Sequence, residues 1–147
     1  MLYTVGEMAR ETGIPASTLR YYDKEGLLPF VERSAGGIRM FTDADLEALT
    51  VIECLKRSGL SIREIRAFME MVSRGDDSLG ERRALFEARR DAAREEVERL
   101  SRTLEVLEFK CWYYETAEAA GTEDAVRDLP ADHVPERVRA GYRQLKG

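Results

Sequence analysis

The amino-acid sequence predicts a mostly α-helical protein with a winged helix-turn-helix head, a small β-hairpin as the wing, and a long helix with a coiled-coil seam. Three observations lead to this fold class. Two helix-like segments are joined by about three residues around Gly13, a connection typical of a helix-turn-helix. The pair Gly36-Gly37 stands between two short arms, as in a β-hairpin. From Ala93 onward, apolar residues follow the alternating three-four spacing of a coiled coil.

The composition is that of a folded chain without a general affinity for nucleic acid. The 147 residues are 44% hydrophobic and 35% charged, which suits one domain, or a small domain with an extension. The net charge is −5, whereas a basic surface is the usual electrostatic signature of a DNA-binding protein. Any DNA-binding face must therefore come from the local arrangement of charges.

The sequence contains no candidate membrane segment and no disulfide framework. No apolar run approaches the ~20 residues that span a bilayer, and no apolar stretch follows a basic start. The two cysteines, Cys54 and Cys111, are far apart in helix-like sequence, so reduced thiols are expected. We therefore expect a soluble, cytoplasmic protein without membrane contact.

Capping boxes mark the helix starts. In this motif a Ser or Thr and an acidic residue three positions later satisfy each other's backbone amides. The sequence places such pairs at Thr4/Glu7, Thr42/Asp45, Ser61/Glu64 and Ser78/Glu81. A further helix is expected to begin near Pro15, because proline is well tolerated in the first turn of a helix.

The first 75 residues are predicted to form the head. Helices over about 5–12 and 15–25, ending at Gly13 and Gly26, form the helix-turn-helix. Their small core is expected to contain Val5, Met8, Ala9, Ile14 and Leu19. Residues 30–41 form the hairpin, which we call the wing, and helices over about 43–58 and 62–73 follow it.

A long helix over roughly 78–119 is predicted next. Its coiled-coil pattern is carried by Ala93, Val97, Leu100, Leu104, Leu107, Cys111 and Tyr114, which we call the seam. Such a helix extends about 60 Å, too far to fold back onto so small a head. It therefore needs a partner, most simply a second copy. The expected division is a head at 1–75, a dimerisation helix at 76–119 and a tail at 120–147.

The segment STLRYY, residues 17–22, carries the strongest functional signal. It contains Ser17, Thr18, Arg20 and two adjacent tyrosines. Arg20, Tyr21 and Tyr22 spread over most of a helix circumference, so these three cannot all be core residues. One interpretation makes one tyrosine core and the others incidental surface. The other has Arg20 and Tyr21 donating to phosphates or base edges, as residues of a second helix in the major groove do. The neighbouring turn and wing favour the second interpretation, with Tyr22 packing beneath.

Four successive parts of the chain carry a resemblance to a known family. They are residues 4–28 (TVGEMARETGIPASTLRYYDKEGLL), then GGIRMF, the two-helix segment and the long helix. Together they resemble the MerR family of transcription regulators. The resemblance covers about residues 2–119 in order and spacing. It implies a winged helix-turn-helix head and an antiparallel coiled-coil homodimer. It also implies binding to double-stranded promoter DNA, which the dimer bends and untwists so that RNA polymerase can engage.

Carried over by resemblance, the DNA-contacting residues are Ser17, Thr18, Arg20, Tyr21, Arg39, Lys56 and Arg57. Arg39 would contact a phosphate from the wing. Many relatives have a tyrosine just before this arginine and another aromatic residue two positions after it. This chain has Ile38 and Phe41 there, so residue 38 offers no hydroxyl to a phosphate. For Lys56 and Arg57 a solvated helix end is an equal alternative, since basic residues suit a helix C-terminus.

Two parts of the sequence are candidates for sensing an effector. Cys54, in ECLKRSGLSI, resembles the lone cysteine of the aldehyde- and thiol-stress branch of the family, and nearby Lys56 and Arg57 could favour its thiolate. The alternative is a small buried hydrophobic residue. Packing is the favoured interpretation of Cys111. Trp112, Tyr113 and Tyr114 either line an effector pocket or pack at the end of the coil.

Other function classes find little support. His133 is the only histidine, and thiolate-rich metal coordination cannot be assembled around it, so no metal and no cofactor are expected. The sequence lacks a glycine-rich phosphate loop and a His-activated nucleophile, which argues against an enzyme. An interaction module, in which the coil recruits a protein and the head is a relic, is the remaining alternative.

Overall fold

The computed structural model describes residues 1–28 and 31–146. Within them the chain forms three strands and seven α-helices, at β1 (Leu2–Thr4), α1 (Val5–Thr12), α2 (Ala16–Lys24), β2 (Glu32–Arg33), β3 (Arg39–Thr42), α3 (Asp43–Arg57), α4 (Ile62–Ser73), α5 (Leu79–Ala120), α6 (Asp124–Arg127) and α7 (Arg139–Lys146). Phe30, the first residue of the predicted wing, lies outside the described residues. The mostly α fold with a helix-turn-helix head and a long helix is confirmed.

Three of the four predicted capping boxes are present, at Thr4/Glu7, Thr42/Asp45 and Ser61/Glu64. The fourth prediction was wrong. The Ser78 hydroxyl is fully buried and lies within hydrogen-bond distance of the carbonyl oxygens of Met71 and Gly75, while the Glu81 carboxylate accepts from Arg74 at 2.7 Å. A 3-10 turn over Gly75–Ser78 leads into α5, so Ser78 closes this turn and does not cap the helix.

The sheet has one strand more than the sequence predicts. β1 pairs antiparallel with β3, with Tyr3 opposite Phe41, and β2 pairs with the other edge of β3. The predicted glycine turn closes the wing, with Gly37 at a φ of 76°. The amide of Ser34 donates to the carbonyl of Ile38 at 2.8 Å. The sheet thereby ties the wing to the start of the head.

The core of the first compact unit, Met1–Arg89, holds the head together. Met8, Leu19 and Phe41 are fully buried and join α1, α2 and the sheet to α3 and α4. Of the other predicted core residues, Val5, Ala9 and Ile14 pack against this cluster while partly exposed. Phe86, near the start of α5, lies edge-on to Phe68 with ring centroids 5.5 Å apart.

The second unit begins at Arg90 and has a small core of its own. Phe109, Tyr113 and Ala117 of α5 pack against apolar side chains of the tail, namely Val126, Val134 and Val138. In the tail α6 and α7 are joined by 3-10 turns over Ala131–His133 and Glu136–Val138. The Arg139 guanidinium donates to the carbonyl of Val134, at 3.0 Å from Nη2, which fixes the start of α7.

The seam lies on the side of α5 away from the tail. At about 100° per residue, Leu100, Leu107 and Tyr114 fall opposite Phe109. These three seam residues are 52–55% exposed, whereas Phe109 is 6% exposed. The tail therefore packs on the Phe109 side of this helix and leaves these seam residues more than half exposed in the single chain.

None of the helices in the described ranges is long and apolar enough to cross a membrane.

Candidate nucleic-acid interface

The two tyrosines of α2 point to opposite sides of the helix. Leu19 and Tyr22 are buried, with Tyr22 only 1% exposed, and they fix the rotation of α2 against the core. Ser17, Arg20 and Tyr21 occupy the opposite side and are exposed, with Tyr21 at 45%. These three positions are neighbours on a helix surface, because residues three and four apart share a face. Thr18, the remaining predicted contact on α2, is partly buried.

Tyr22 anchors α2 to α3 through its hydroxyl group. This hydroxyl donates to the Glu53 carboxylate at 2.7 Å and accepts from the Lys56 ammonium at 3.1 Å. Burial and the Glu53 carboxylate raise the pKa of Tyr22, because both disfavour the phenolate. The hydrogen bond to Tyr22 raises the pKa of Lys56, whose ammonium group also lies 5.6 Å from the ring centroid.

Lys56 therefore has an internal role that the sequence did not reveal. Its ammonium group braces the side of α2 that faces the core, although the residue as a whole is exposed. Arg57, the second predicted contact on α3, is the last residue of that helix and is exposed.

Arg39 connects the wing to α2. Its guanidinium Nε donates to the Asp23 carboxylate in an ion pair, and the two side chains are 28% and 19% exposed. Arg39 stands opposite Arg33 in the β2–β3 register, and the exposed Arg33 donates to the carbonyl of Gly37 at 3.3 Å. Arg33 was not among the predicted contacts. It could have been predicted, because it lies on the other arm of the hairpin from Arg39, across the glycine turn.

A second arginine holds the C-terminal end of α2. Arg66 of α4 donates to the Glu25 carboxylate at 2.6 Å and also to the carbonyl of Glu25. Together with the Arg39–Asp23 and Tyr22–Glu53 contacts, this bond fixes α2 to the wing, to α3 and to α4. The exposed side of α2 is therefore presented by a helix held from three directions.

The thiol of Cys54 is exposed on α3, whose buried side is formed by neighbours such as Ile52 and Leu55. The alternative of a buried Cys54 does not fit this position. Cys111 is exposed as well, on the seam side of α5. No group of three His, Cys, Asp or Glu side chains suited to a metal ion occurs in the described ranges.

The aromatic residues at the end of the coil separate into two groups. Trp112 and Tyr113 line a cavity between α5 and the tail, whereas Tyr114 is 55% exposed. The Tyr113 hydroxyl donates to Glu123 at 3.0 Å, and burial together with that carboxylate raises the pKa of Tyr113. Lys110 holds its ammonium group 4.9 Å from the Tyr113 ring centroid.

Comparison with known proteins gives two family matches. Residues 3–72 match the model of the MerR HTH family regulatory protein, and residues 46–108 match the model named MerR, DNA binding. An uncharacterized HTH-type transcriptional regulator of Haemophilus influenzae is 44% identical over 92% of this chain and 98% of that protein. The regulator AdhR of Bacillus subtilis is 32% identical over 65% of this chain and 64% of that protein.

A solved structure extends the similarity to the fold. It is the crystal structure of HiNmlR, a MerR family regulator lacking the sensor domain, bound to promoter DNA. It superposes with a TM-score of 0.73 at 44% identity, covering 86% of this chain and all of that chain.

Proposed function

The chain belongs to the MerR family of transcription regulators, and from that premise we propose that it binds promoter DNA as a homodimer through α2 and the wing. This is a non-enzyme family. The similar protein HiNmlR is bound to promoter DNA in its crystal structure, which supports the same partner here. A regulator meets its promoter in the cytoplasm, where we place this protein.

The observation that carries the proposal is the exposed side of α2 formed by Ser17, Arg20 and Tyr21, beside the basic wing. An arginine fork suits the paired acceptors of guanine and the oxygens of phosphate, and tyrosine hydroxyls donate to phosphate. Thr18 is proposed to contact the backbone, as are Arg39 from the wing and Lys56 and Arg57 from α3. The contacts of Tyr22 and Arg66 hold α2 in place, so that these groups are positioned to enter a groove of the DNA.

The exposed seam supports the homodimer. Val97, Leu100, Leu104 and Leu107 are 52–63% exposed on one side of α5. Contiguous apolar surface of this kind marks an interface in a soluble protein. A second copy supplies a matching seam, and the antiparallel arrangement follows the resemblance to the family. Two heads joined in this way are proposed to distort the promoter between them, acting on RNA polymerase indirectly through the DNA.

The test is binding of the full-length protein to its own upstream promoter, measured by fluorescence anisotropy at several salt concentrations. We expect a dimer to bind this fragment more tightly than a scrambled fragment of the same composition. The affinity should fall with salt, because phosphate contacts release counterions. Equal, weak affinity for both fragments would contradict the proposal and favour the coiled-coil interaction module. Transcription in vitro from the same promoter then reports activation or repression.

Cys54 is proposed as the sensor of electrophile or thiol stress. Its thiol is exposed, as a reactive cysteine must be. The thiolate sulfur would add to the carbonyl carbon of a small aldehyde, and the carbonyl oxygen would take up a proton to become a hydroxyl. We expect acetaldehyde to change transcription by the wild type but not by Cys54→Ser, while both bind the promoter. Cys111→Ser is the matched control and should respond like the wild type.

If Cys54→Ser responds like the wild type, the sensing site lies elsewhere. The next candidate is the end of the coil at Trp112, Tyr113 and Tyr114, where the cavity offers room for an effector. Promoter binding by all variants in these assays separates the failure of the sensor from the failure of the regulator function.

A further inference from the structure

A cavity in the second compact unit lies between the end of α5 and the tail. Its volume is about 360 Å³, within the range of small-molecule sites. Phe109, Trp112 and Tyr113 of α5 form one wall, and Val126, Val134 and Tyr142 of the tail contribute to the other. The Phe109 ring packs edge-on against Tyr142, with ring centroids 5.6 Å apart. The cavity is thus lined mainly by aromatic and aliphatic side chains that belong to two packed segments.

The charged side chains that line this cavity are cationic, while Glu123 and Asp124 lie just outside the lining, bonded to Tyr113 and Arg127. Lys110, Arg127 and Lys146 line it, and no Asp or Glu is among its lining residues within the part of the chain that the structure describes. The chain as a whole has a net charge of −5, so this local excess is not a consequence of composition. Positive groups at the edge of an apolar cavity favour an anion that also carries an apolar body.

Lys110 is the best placed of the three cations. Its ammonium group is held over the rings of Tyr113 and Tyr114, at 4.9 and 5.8 Å from their centroids. No carboxylate pairs with it among the described residues, whereas Arg127 already pairs with Asp124 at 3.0 Å. Contact with the two rings restricts the ammonium group without neutralising its charge. The group therefore remains able to bind an incoming carboxylate.

A second cavity of similar size, on the same unit, can be compared with the first. It is lined by Leu104, Leu107 and Cys111 on the seam side of α5, with Trp112 and Val138 at its border, and its charged residues are Glu108, Glu115 and Arg137. Its lining is shared with the surface that the homodimer is proposed to cover, and its two carboxylates outnumber the one guanidinium, which disfavours an anion. The combination of an aromatic wall with a lysine that pairs with no carboxylate among the described residues distinguishes the cavity facing the tail.

We propose that the cavity beneath the tail binds an amphipathic organic anion, with an aromatic ring or a short acyl chain between the aromatic walls and one carboxylate on Lys110. Arg127 and Lys146 add positive potential at the edge. This site is separate from Cys54 and needs no covalent step. It extends the effector pocket considered above by assigning it a ligand class and a charged contact, while its binding test does not depend on promoter binding.

The test uses the only tryptophan of the chain, because Trp112 lines the cavity. Phenylacetate and octanoate are titrated into the full-length protein, each beside its uncharged amide, phenylacetamide or octanamide. Tryptophan fluorescence and titration calorimetry follow binding. We expect saturable binding of at least one anion and weaker binding of its amide. No saturable binding by any of the four compounds, or equal binding of acid and amide, would overturn the proposal.

Variants of single cationic residues test which charge binds the carboxylate of the anion. Lys110→Met keeps the length of the side chain and removes the ammonium group, so the anion should bind about tenfold more weakly, as the loss of one charge-assisted contact predicts. Arg127→Gln should weaken binding to a smaller extent, since Asp124 already pairs with it. Arg143→Met removes a charge from α7 outside the cavity lining and should bind like the wild type. Unchanged affinity in Lys110→Met, with an unaltered melting curve, would refute the site.

Discussion

Arg20→Ala is expected to weaken binding of the upstream promoter by about 5- to 150-fold, since one lost arginine contact to a base edge is worth about 1–3 kcal/mol. The side chain is exposed on the free side of α2, and the core contacts of that helix are made by Leu19 and Tyr22. The melting temperature should therefore stay close to that of the wild type. Because a homodimer presents the residue twice, the effect on the dimer can exceed the effect of one contact.

Fluorescence anisotropy with the specific and the scrambled fragment measures this prediction. Tyr21→Phe, which removes only a hydroxyl, should have a smaller effect than Arg20→Ala. Arg102→Ala is the charge-matched control, because this exposed arginine lies on α5 away from the seam. Wild-type affinity in Arg20→Ala would remove this residue from the interface. An equal loss in the control would show that net charge alone is being measured.

Gly141→Ala is expected to detach α7 from α5. A Cβ atom at this buried position would lie 2.0 Å from the carbonyl oxygen of Glu105 and 2.9 Å from the Cβ of Phe109. Neither group belongs to a flexible chain end, so the helix itself has to move. Overpacking costs about 1–3 kcal/mol or more, which exceeds the gain of about 1 kcal/mol from alanine in a helix. The contacts of Val134, Val138 and Tyr142 should be lost with the helix.

Hydrogen exchange of residues 124–146 and the fluorescence of Trp112 measure this change directly. The matched control is Gly80→Ala, since a Cβ at this helical glycine of α5 meets nothing within 4 Å. The control should raise stability slightly through helix propensity. Protection of α7 at the wild-type level in Gly141→Ala would show that the close approach to Glu105 is relieved without undocking.

The features predicted correctly from the sequence are those that local chemistry determines. Capping residues and glycine stops placed α1 to α4 close to their observed bounds, because the groups that satisfy a helix end lie within a few residues of it. β1 was missed, since three residues give too short an alternation and their partners in β3 are about forty positions away. Ser78 was misread because its carbonyl partners come from the preceding turn and from α4.

The proposed site shows the same division between local and distant effects. The different orientations of Tyr21 and Tyr22 follow from helical geometry and were predicted. The pairing of Arg39 with Asp23 and of Lys56 with Tyr22 could not be predicted, because each joins elements whose approach depends on the whole core. The exposure of Cys54 was also open, since its neighbours on α3 include both buried and exposed residues.

The separation of seam and tail on α5 has an evolutionary consequence. Leu100 and Leu107 lie on one side of the helix, while Phe109 and Tyr113 bind the tail on the other. Substitutions that reshape the tail side can therefore accumulate without altering which copies pair with each other. A duplicated gene could acquire a new C-terminal segment, with a new chemical specificity, while its product still exchanged subunits with the parent protein. Subunit exchange of this kind would generate mixed dimers that respond to two signals.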